Sequence, residues 1–153
     1  MPVGRAITER VASPNMSKLT IIIDSESFGI ELLTAEAPES VEALRDLLPL
    51  TSELVHVRWS GYATWIDIDD LELPDLPREN HTAYPSRGDV LLYPGYRNEQ
   101  EILLACGPTN FKSPAGELAG NHVGTIDASR ETLAAIERRT LTDGALDVEI
   151  TDT

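Results

Sequence analysis

Apolar and polar positions change period repeatedly along the chain, and each change marks an element. Residues 19–24 contain a β-branched run, Ile21, Ile22 and Ile23, that predicts a strand. Asp24-Ser25-Glu26-Ser27 is turn chemistry, and residues 28–34 predict a second strand, so the two form a hairpin. In residues 38–48, Val41, Leu44, Leu47 and Leu48 share one face at helical spacing, with Glu39, Glu42, Arg45 and Asp46 elsewhere. Pro38 suits a first helical position and Pro49 ends the helix. Residues 53–59 alternate as a strand, Val55, Val57 and Trp59 pointing one way and Leu54, His56 and Arg58 the other. Ser60-Gly61 bends the chain into a strand over residues 63–69, with Ile66 and Ile68 opposite Trp65, Asp67 and Asp69.

Residues 70–87 hold Pro74, Pro77 and Pro85 and read as loop. Strands are predicted over residues 88–93 and 100–106, separated by Pro94-Gly95. Residues 107–120, rich in Gly and Pro, read as one long loop, a kind of segment often used for function. Residues 122–127 predict a strand. Ser129 then caps a helix over residues 131–139 with Leu133 and Ile136 inward. After the Asp143-Gly144 turn, Leu146, Val148 and Ile150 alternate with Asp147 and Glu149 in a last strand. The order β-β-α-β-β-β-β-β-α-β predicts a mainly β fold: a closed eight-stranded barrel of antiparallel type, capped by two α-helices. A split α+β sandwich is the alternative.

Composition narrows the function classes. The chain has 153 residues, enough for one domain, and 12 basic against 26 acidic residues give a net charge of −14. Nucleic acid and anionic membrane both need a basic face, so neither is expected as a partner. An apolar content of 41% suffices for a core, and with only 5% aromatics that core is aliphatic. Cys106 is the single cysteine and can form no internal disulfide, which suits a reducing compartment. No apolar run approaches the ~18 residues that span a bilayer. Residues 1–17 lack the apolar centre of a signal peptide; they are expected to be a flexible extension ahead of a domain over residues 18–153, with Met16 as an alternative start. The expected location is the cytoplasm.

Several segments carry a resemblance. The run from Glu36-Ala37-Pro38 to Leu44 is similar to the start of the first helix of cyclophilins, Gly120-Asn121-His122-Val123 to the stretch before a late strand of their barrel, and His56-Val57-Arg58 with Gly61 to the segment that carries their catalytic arginine. The whole pattern resembles more closely a bacterial cyclophilin-like family of unknown function. The phrases that match are Arg58-Trp59-Ser60-Gly61, Glu79-Asn80-His81-Thr82, residues 88–95, residues 101–107 and Leu118-Ala119-Gly120-Asn121-His122, spread over most of the chain. The resemblance implies the eight-stranded barrel with two capping helices. It implies little about activity, because a fold does not fix a function.

Arg58 is the first candidate. If Val55, Val57 and Trp59 fill the barrel, Arg58 lies on the outer face, where cyclophilins place their groove. There its guanidinium could donate to a carbonyl, a carboxylate or a prolyl nitrogen, or simply pair with a surface acid. By resemblance His122 and Leu118 line that groove and Leu103 falls near its proline pocket, whereas Glu117 replaces a usual Trp, and Ala63 and Trp65 replace Met and Gln. Glu79, Asn80, His81 and Tyr84 form a polar loop with an aromatic that could ring a small ligand; equally, Glu79 and Asn80 could satisfy loop backbone. Tyr93 and Tyr96 could wall a pocket or pack, and Asn121 adjoins His122. No cofactor and no metal are expected: His56, His81 and His122 fit no zinc spacing, and the acidic run over residues 67–75 lacks an EF-hand's Gly and Glu. Cys106 reads as a small buried apolar residue. Three readings follow. The first is a binding module holding a small polar or anionic metabolite, or a short peptide, in a groove on the barrel lined by Arg58, Trp59, Glu79, Asn80, His81, Tyr84 and His122. The second is a peptidyl-prolyl isomerase using Arg58 and His122. The third is an accessory subunit of an amide-, lactam- or urea-metabolising enzyme, with a protein partner. A homo-oligomer using Trp59 or Tyr96 is left open.

Overall fold

The computed structural model describes residues 17–153; residues 1–16, which hold most of the expected extension and Met16, lie outside the described residues. The strands are β1 (Lys18–Ile23), β2 (Glu26–Leu32), β3 (Leu50–His56), β4 (Gly61–Asp67), β5 (His81–Thr82), β6 (Asp89–Tyr93), β7 (Glu101–Thr109), β8 (Lys112–Ser113), β9 (Gly116–Glu117), β10 (Gly120–Ile126) and β11 (Leu146–Asp152). The helices are α1 (Pro38–Asp46) and α2 (Arg130–Thr142). Eight of the strands close a barrel in the order β2-β1-β11-β3-β4-β7-β6-β10, each pair antiparallel, with β10 pairing back onto β2. Closure leaves no long free edge. The seam is tight: a Cβ on Gly124 would stand 2.7 Å from the Glu31 carbonyl oxygen and 2.8 Å from Ile30 Cγ2, so only glycine lets β10 approach β2 there.

The expected hairpin is present. Asp24 and Ser25 take φ of 50° and 76°, the left-handed pair that a two-residue turn between twisted strands requires. Alternation puts Ile21, Ile23, Ile30, Leu92, Leu104 and Val148 among the residues that fill the barrel. Val41 and Leu44 of α1 and Leu133 and Ile136 of α2 join the same buried cluster, so both helices close it. Ser129 caps α2 as expected, its hydroxyl accepting from the Thr132 amide at 3.1 Å.

One face assignment is reversed. In β3 it is Leu50 and Leu54 that face the core, while Val55 is 39% exposed. The strand ends at His56, and Arg58–Ser60 form a single 3-10 turn rather than strand. Val57 and Trp59 therefore do not share a strand face, and Trp59 is 56% exposed instead of buried in the barrel. Two loops also carry short strands: β5 lies in the Pro-rich segment and pairs with β10, and β8 and β9 form a small hairpin in the segment read as one long loop.

That hairpin has a consequence for packing. The outward side chains Ala63, Leu91, Tyr93 and Leu103 are covered by Val57, Phe111 and Leu118, which builds a second buried cluster outside the barrel. β7 is thus buried on both faces from Glu101 to Gly107, which explains its unbroken apolar run. Tyr93 meets Phe111 and Tyr96 edge to face, with centroids 5.5 and 5.7 Å apart. Among the described residues no helix is long and apolar enough to cross a membrane.

Candidate functional site

The turn before β4 is fixed by Ser60. Its buried hydroxyl accepts from the Lys112 amide and donates to the Lys112 carbonyl, both at 3.1 Å, and its own carbonyl accepts from the Asn110 amide at 2.9 Å. These bonds hold the 3-10 turn against β8, so that Trp59 faces the β8–β9 hairpin. Between them lies a cavity of about 220 Å³, walled by Trp59, Trp65, Val57 and Pro114 and edged by Asn98, Glu99, Glu101 and Lys112.

Glu101 is the unusual member. It is 4% exposed, and its carboxylate makes no hydrogen bond or ion pair among the described residues. Burial pushes its pKa up to about 8, helped by the charges of Glu99 and Asp67. It starts β7 beside Tyr93 of β6 and Asp67 of β4. A glutamate at the start of a strand reads as a solvated residue in sequence; its burial comes from the hairpin and the tryptophans that cover it. Trp65 gave one local signal, a large aromatic facing away from Ile66.

The residues expected in one groove are divided among several places, and Trp59 alone of them lines this cavity. Arg58, its neighbour, is exposed and has no polar partner among the described residues. Tyr93 and Leu118 are 1% and 3% exposed inside the second cluster, so they pack rather than present a surface. Tyr93 also accepts from the Arg97 amide through its hydroxyl at 2.7 Å. Tyr84 is exposed and donates to Glu117 Oε2 at 2.8 Å, and His81 is exposed on β5.

Glu79, Asn80 and Asn121 serve the backbone. Ala37, at the start of α1, has no side chain to cap the helix; Glu79 Oε1 does so from a distance, accepting from the Ser40 amide at 2.5 Å. Asn121, fully buried, donates to Ser40 Oγ at 2.9 Å and to the Pro77 carbonyl at 3.0 Å, and accepts from the Glu79 amide at 3.3 Å. Asn80 donates to the His122 carbonyl at 3.0 Å. The long loop is thereby fastened to α1 and β10. Asn121→Ala leaves the buried Ser40 hydroxyl and two part-buried backbone groups, the Pro77 carbonyl and the Glu79 amide, without this partner and is expected to cost about 2 kcal/mol, measured by urea unfolding; an unchanged midpoint would show that this clasp contributes nothing.

His122 is also engaged internally. Its Nε2 lies 3.0 Å from the Gly124 carbonyl and 3.2 Å from Asp89 Oδ1. The hydrogen bond to Asp89 raises its pKa, against the opposing effect of burial. His56 is bonded to Glu137 of α2 at 2.7 Å. Asp67 and Asp69 accept from the Asp69 and Gln100 amides, at 2.9 and 3.1 Å.

A second cavity, of about 410 Å³, lies between α2 and the end of β7. Arg87, Arg130 and Arg138 line it, and none of the three is in an ion pair among the described residues. Cys106 also lines it, but burial pushes its thiol up to about 12, where it is no nucleophile at neutral pH.

The architecture has known counterparts. McbB in complex with tryptophan is 19% identical, with a TM-score of 0.67 over 88% of this chain and 44% of its own, so this chain spans less than half of McbB. The hypothetical protein AF2241 from Archaeoglobus fulgidus is 21% identical, with a TM-score of 0.57 over 90% of this chain and 95% of that one. A cyclophilin-type peptidyl-prolyl cis-trans isomerase of Cryptosporidium parvum, in the presence of the dipeptide Ala-Pro, is 13% identical, with a TM-score of 0.57 over 89% and 98%. These likenesses establish a cyclophilin-like barrel. No curated protein matches the chain. The profile of one family of proteins of unknown function, DUF3830, matches residues 19–152, and the chain belongs to that family.

Proposed function

We propose that this protein is a small-molecule binding module whose ligand occupies the tryptophan-walled cavity on the outer face of the barrel. The observation that carries the reading is the meeting in one cavity of two indoles and a buried carboxylate that has no hydrogen-bond partner among the described residues. Such sites are apolar hollows with a few convergent polar groups. McbB, which shares this barrel over 44% of its own length, is in complex with tryptophan. The isomerase reading has less support. Its apolar wall, Leu103 and Leu118, is packed against Phe111 and Tyr93 in the second cluster.

Trp59 and Trp65 are the only two tryptophans of the chain, and both line the cavity, so intrinsic emission reports on it directly. Titration with amino acids, amines, ureides and small carboxylates is expected to give a saturable emission change with one class and a rise in Tm. A folded protein that answers to none of them overturns the reading. No acceleration of Xaa-Pro isomerisation above background is expected in the same samples. A second reading, an anion in the arginine-lined cavity, is favoured by its three guanidinium groups, none of them in an ion pair among the described residues. It is distinguished by phosphate or a dicarboxylate raising Tm without altering emission, an effect lost in Arg138→Ala.

A further inference from the structure

We infer that the cavity formed by Trp59, Trp65 and Glu101 takes an organic cation, an ammonium or guanidinium group, held between the indole faces and the buried carboxylate. The inference rests on the cavity being the ligand site and adds the chemical class of the ligand.

Three observations converge on it. First, the chain has 5% aromatics, yet both of its tryptophans line one cavity, and Trp59 keeps 56% of its surface exposed while belonging to neither buried cluster. An indole face left open in this way is the strongest of the side-chain partners for a desolvated cation. Second, Glu101 is almost fully buried with no donor among the described residues to satisfy it. Its oxygens are not sealed from water, so a bound N–H donor would take the place of solvent at a carboxylate held in a largely apolar wall. Third, the charges around the cavity favour a cation. Glu99 and Glu101 line it, Asp67 stands beside Glu101 across the ladder, and Lys112 is the one cation in the lining. An anion would meet the Glu99 carboxylate in the lining and the charge of Asp67 beside Glu101, with Lys112 alone to offset them. Arg58, the anchor that sequence suggests for an anion, is not in the lining. The volume of about 220 Å³ is below that of drug-sized sites, which suits a small amine or the cationic end of a larger molecule.

Binding should be linked to a proton. The groups facing Glu101 are Asp67 of β4, Tyr93 of β6, Glu99 before β7 and Lys112 of β8. Its carboxyl, raised to about 8, is mostly neutral near neutral pH, and a cation binds the ionised form. Affinity should therefore rise roughly tenfold per pH unit below about pH 8, with uptake of the cation expelling close to one proton.

The test is tryptophan emission of the full chain titrated with butylammonium and methylguanidinium, beside neutral butyramide and anionic butyrate, at about pH 6 and about pH 8.5. Saturable changes are expected with the two cations alone, stronger at the higher pH, and weakened at least ~10-fold in Glu101→Gln. Trp59→Ala serves as a second variant, because that side chain is exposed and outside both cores, and it too is expected to lose the response. If butyramide or butyrate binds as well as the cations and Glu101→Gln changes nothing, the cavity is a ligand site and the cation assignment is wrong. If no probe of any class alters the emission, the cavity is not the ligand site and both readings fall.

Discussion

Raising the pH from about 5 to about 9 lowers the stability of this protein by several kcal/mol, and Glu101→Gln removes most of that loss. In the folded chain Glu101 has a pKa of about 8, against an ordinary value of 4.5. Between those two values the native state keeps a proton that the unfolded state releases. Stability must then fall as pH rises through this window, and it is fully present only below it. The part of that gap crossed between about pH 5 and about pH 9 corresponds to roughly 4 kcal/mol for a group this buried. His122 acts with the same sign. Its folded pKa is raised by Asp89, so its contribution is complete below 6.5 and is lost as pH rises through the folded value. Urea unfolding at about pH 5, 7 and 9 measures the effect. The wild-type midpoint is expected to fall steadily, and that of Glu101→Gln to fall much less, the remainder reflecting His122. Parallel curves for the two proteins would mean that the Glu101 carboxyl is better solvated than its surroundings indicate.

Glu101 also shows where reading the sequence stops. The barrel is legible because most of its strands carry their own period: Ile21 and Ile23, Val148 and Ile150 are buried and alternate with neighbours that keep part of their surface in solvent, and the helices display one apolar stripe each. Residues buried on both sides have no such period. β7 shows only that it is apolar, and nothing local says that its outward side chains are covered by Phe111 and Leu118, seven residues apart in a stretch full of Gly and Pro. The reversed phase of β3 has the same origin. Val55 and Val57 alternate with Leu54, and the segment does not say which side is the core; that is decided by β4 and β11 on either side. Of the cavity, Trp59 was accessible from its phrase and Trp65 from its place in an alternating strand, but the burial of Glu101 is a tertiary fact. The polar loop is the converse case. Glu79 and Asn121 look like ligand contacts because they are polar and close together, and they are close together because they hold α1 to the loop.

Phe111→Ala is expected to cost about 4 kcal/mol, more than truncation of any exposed aromatic in the chain. Phe111 is 1% exposed and stands edge-on to Tyr93 at 5.5 Å. It is set by backbone bonds that the substitution keeps: its amide donates to the Ala83 carbonyl at 2.7 Å and its carbonyl accepts from the Leu118 amide at 3.0 Å. Because the main chain is pinned on both sides, the neighbours cannot close the hole, and the cavity cost adds to the lost transfer energy. Chemical denaturation beside Tyr84→Ala, whose ring is 65% exposed, provides the comparison. A cost below about 1 kcal/mol would show that the outer cluster can collapse and is not a true second core. The variant also bears on function. It opens an apolar hole beside Leu103 and Leu118, the wall that an isomerase would use for proline. Folded Phe111→Ala is expected to leave Xaa-Pro isomerisation at its background rate, since the hole lies under the hairpin rather than in an open groove. A rate rising above background would instead identify the second cluster as a plugged proline pocket, and would place the chemistry of this barrel nearer to the isomerases than its packing indicates.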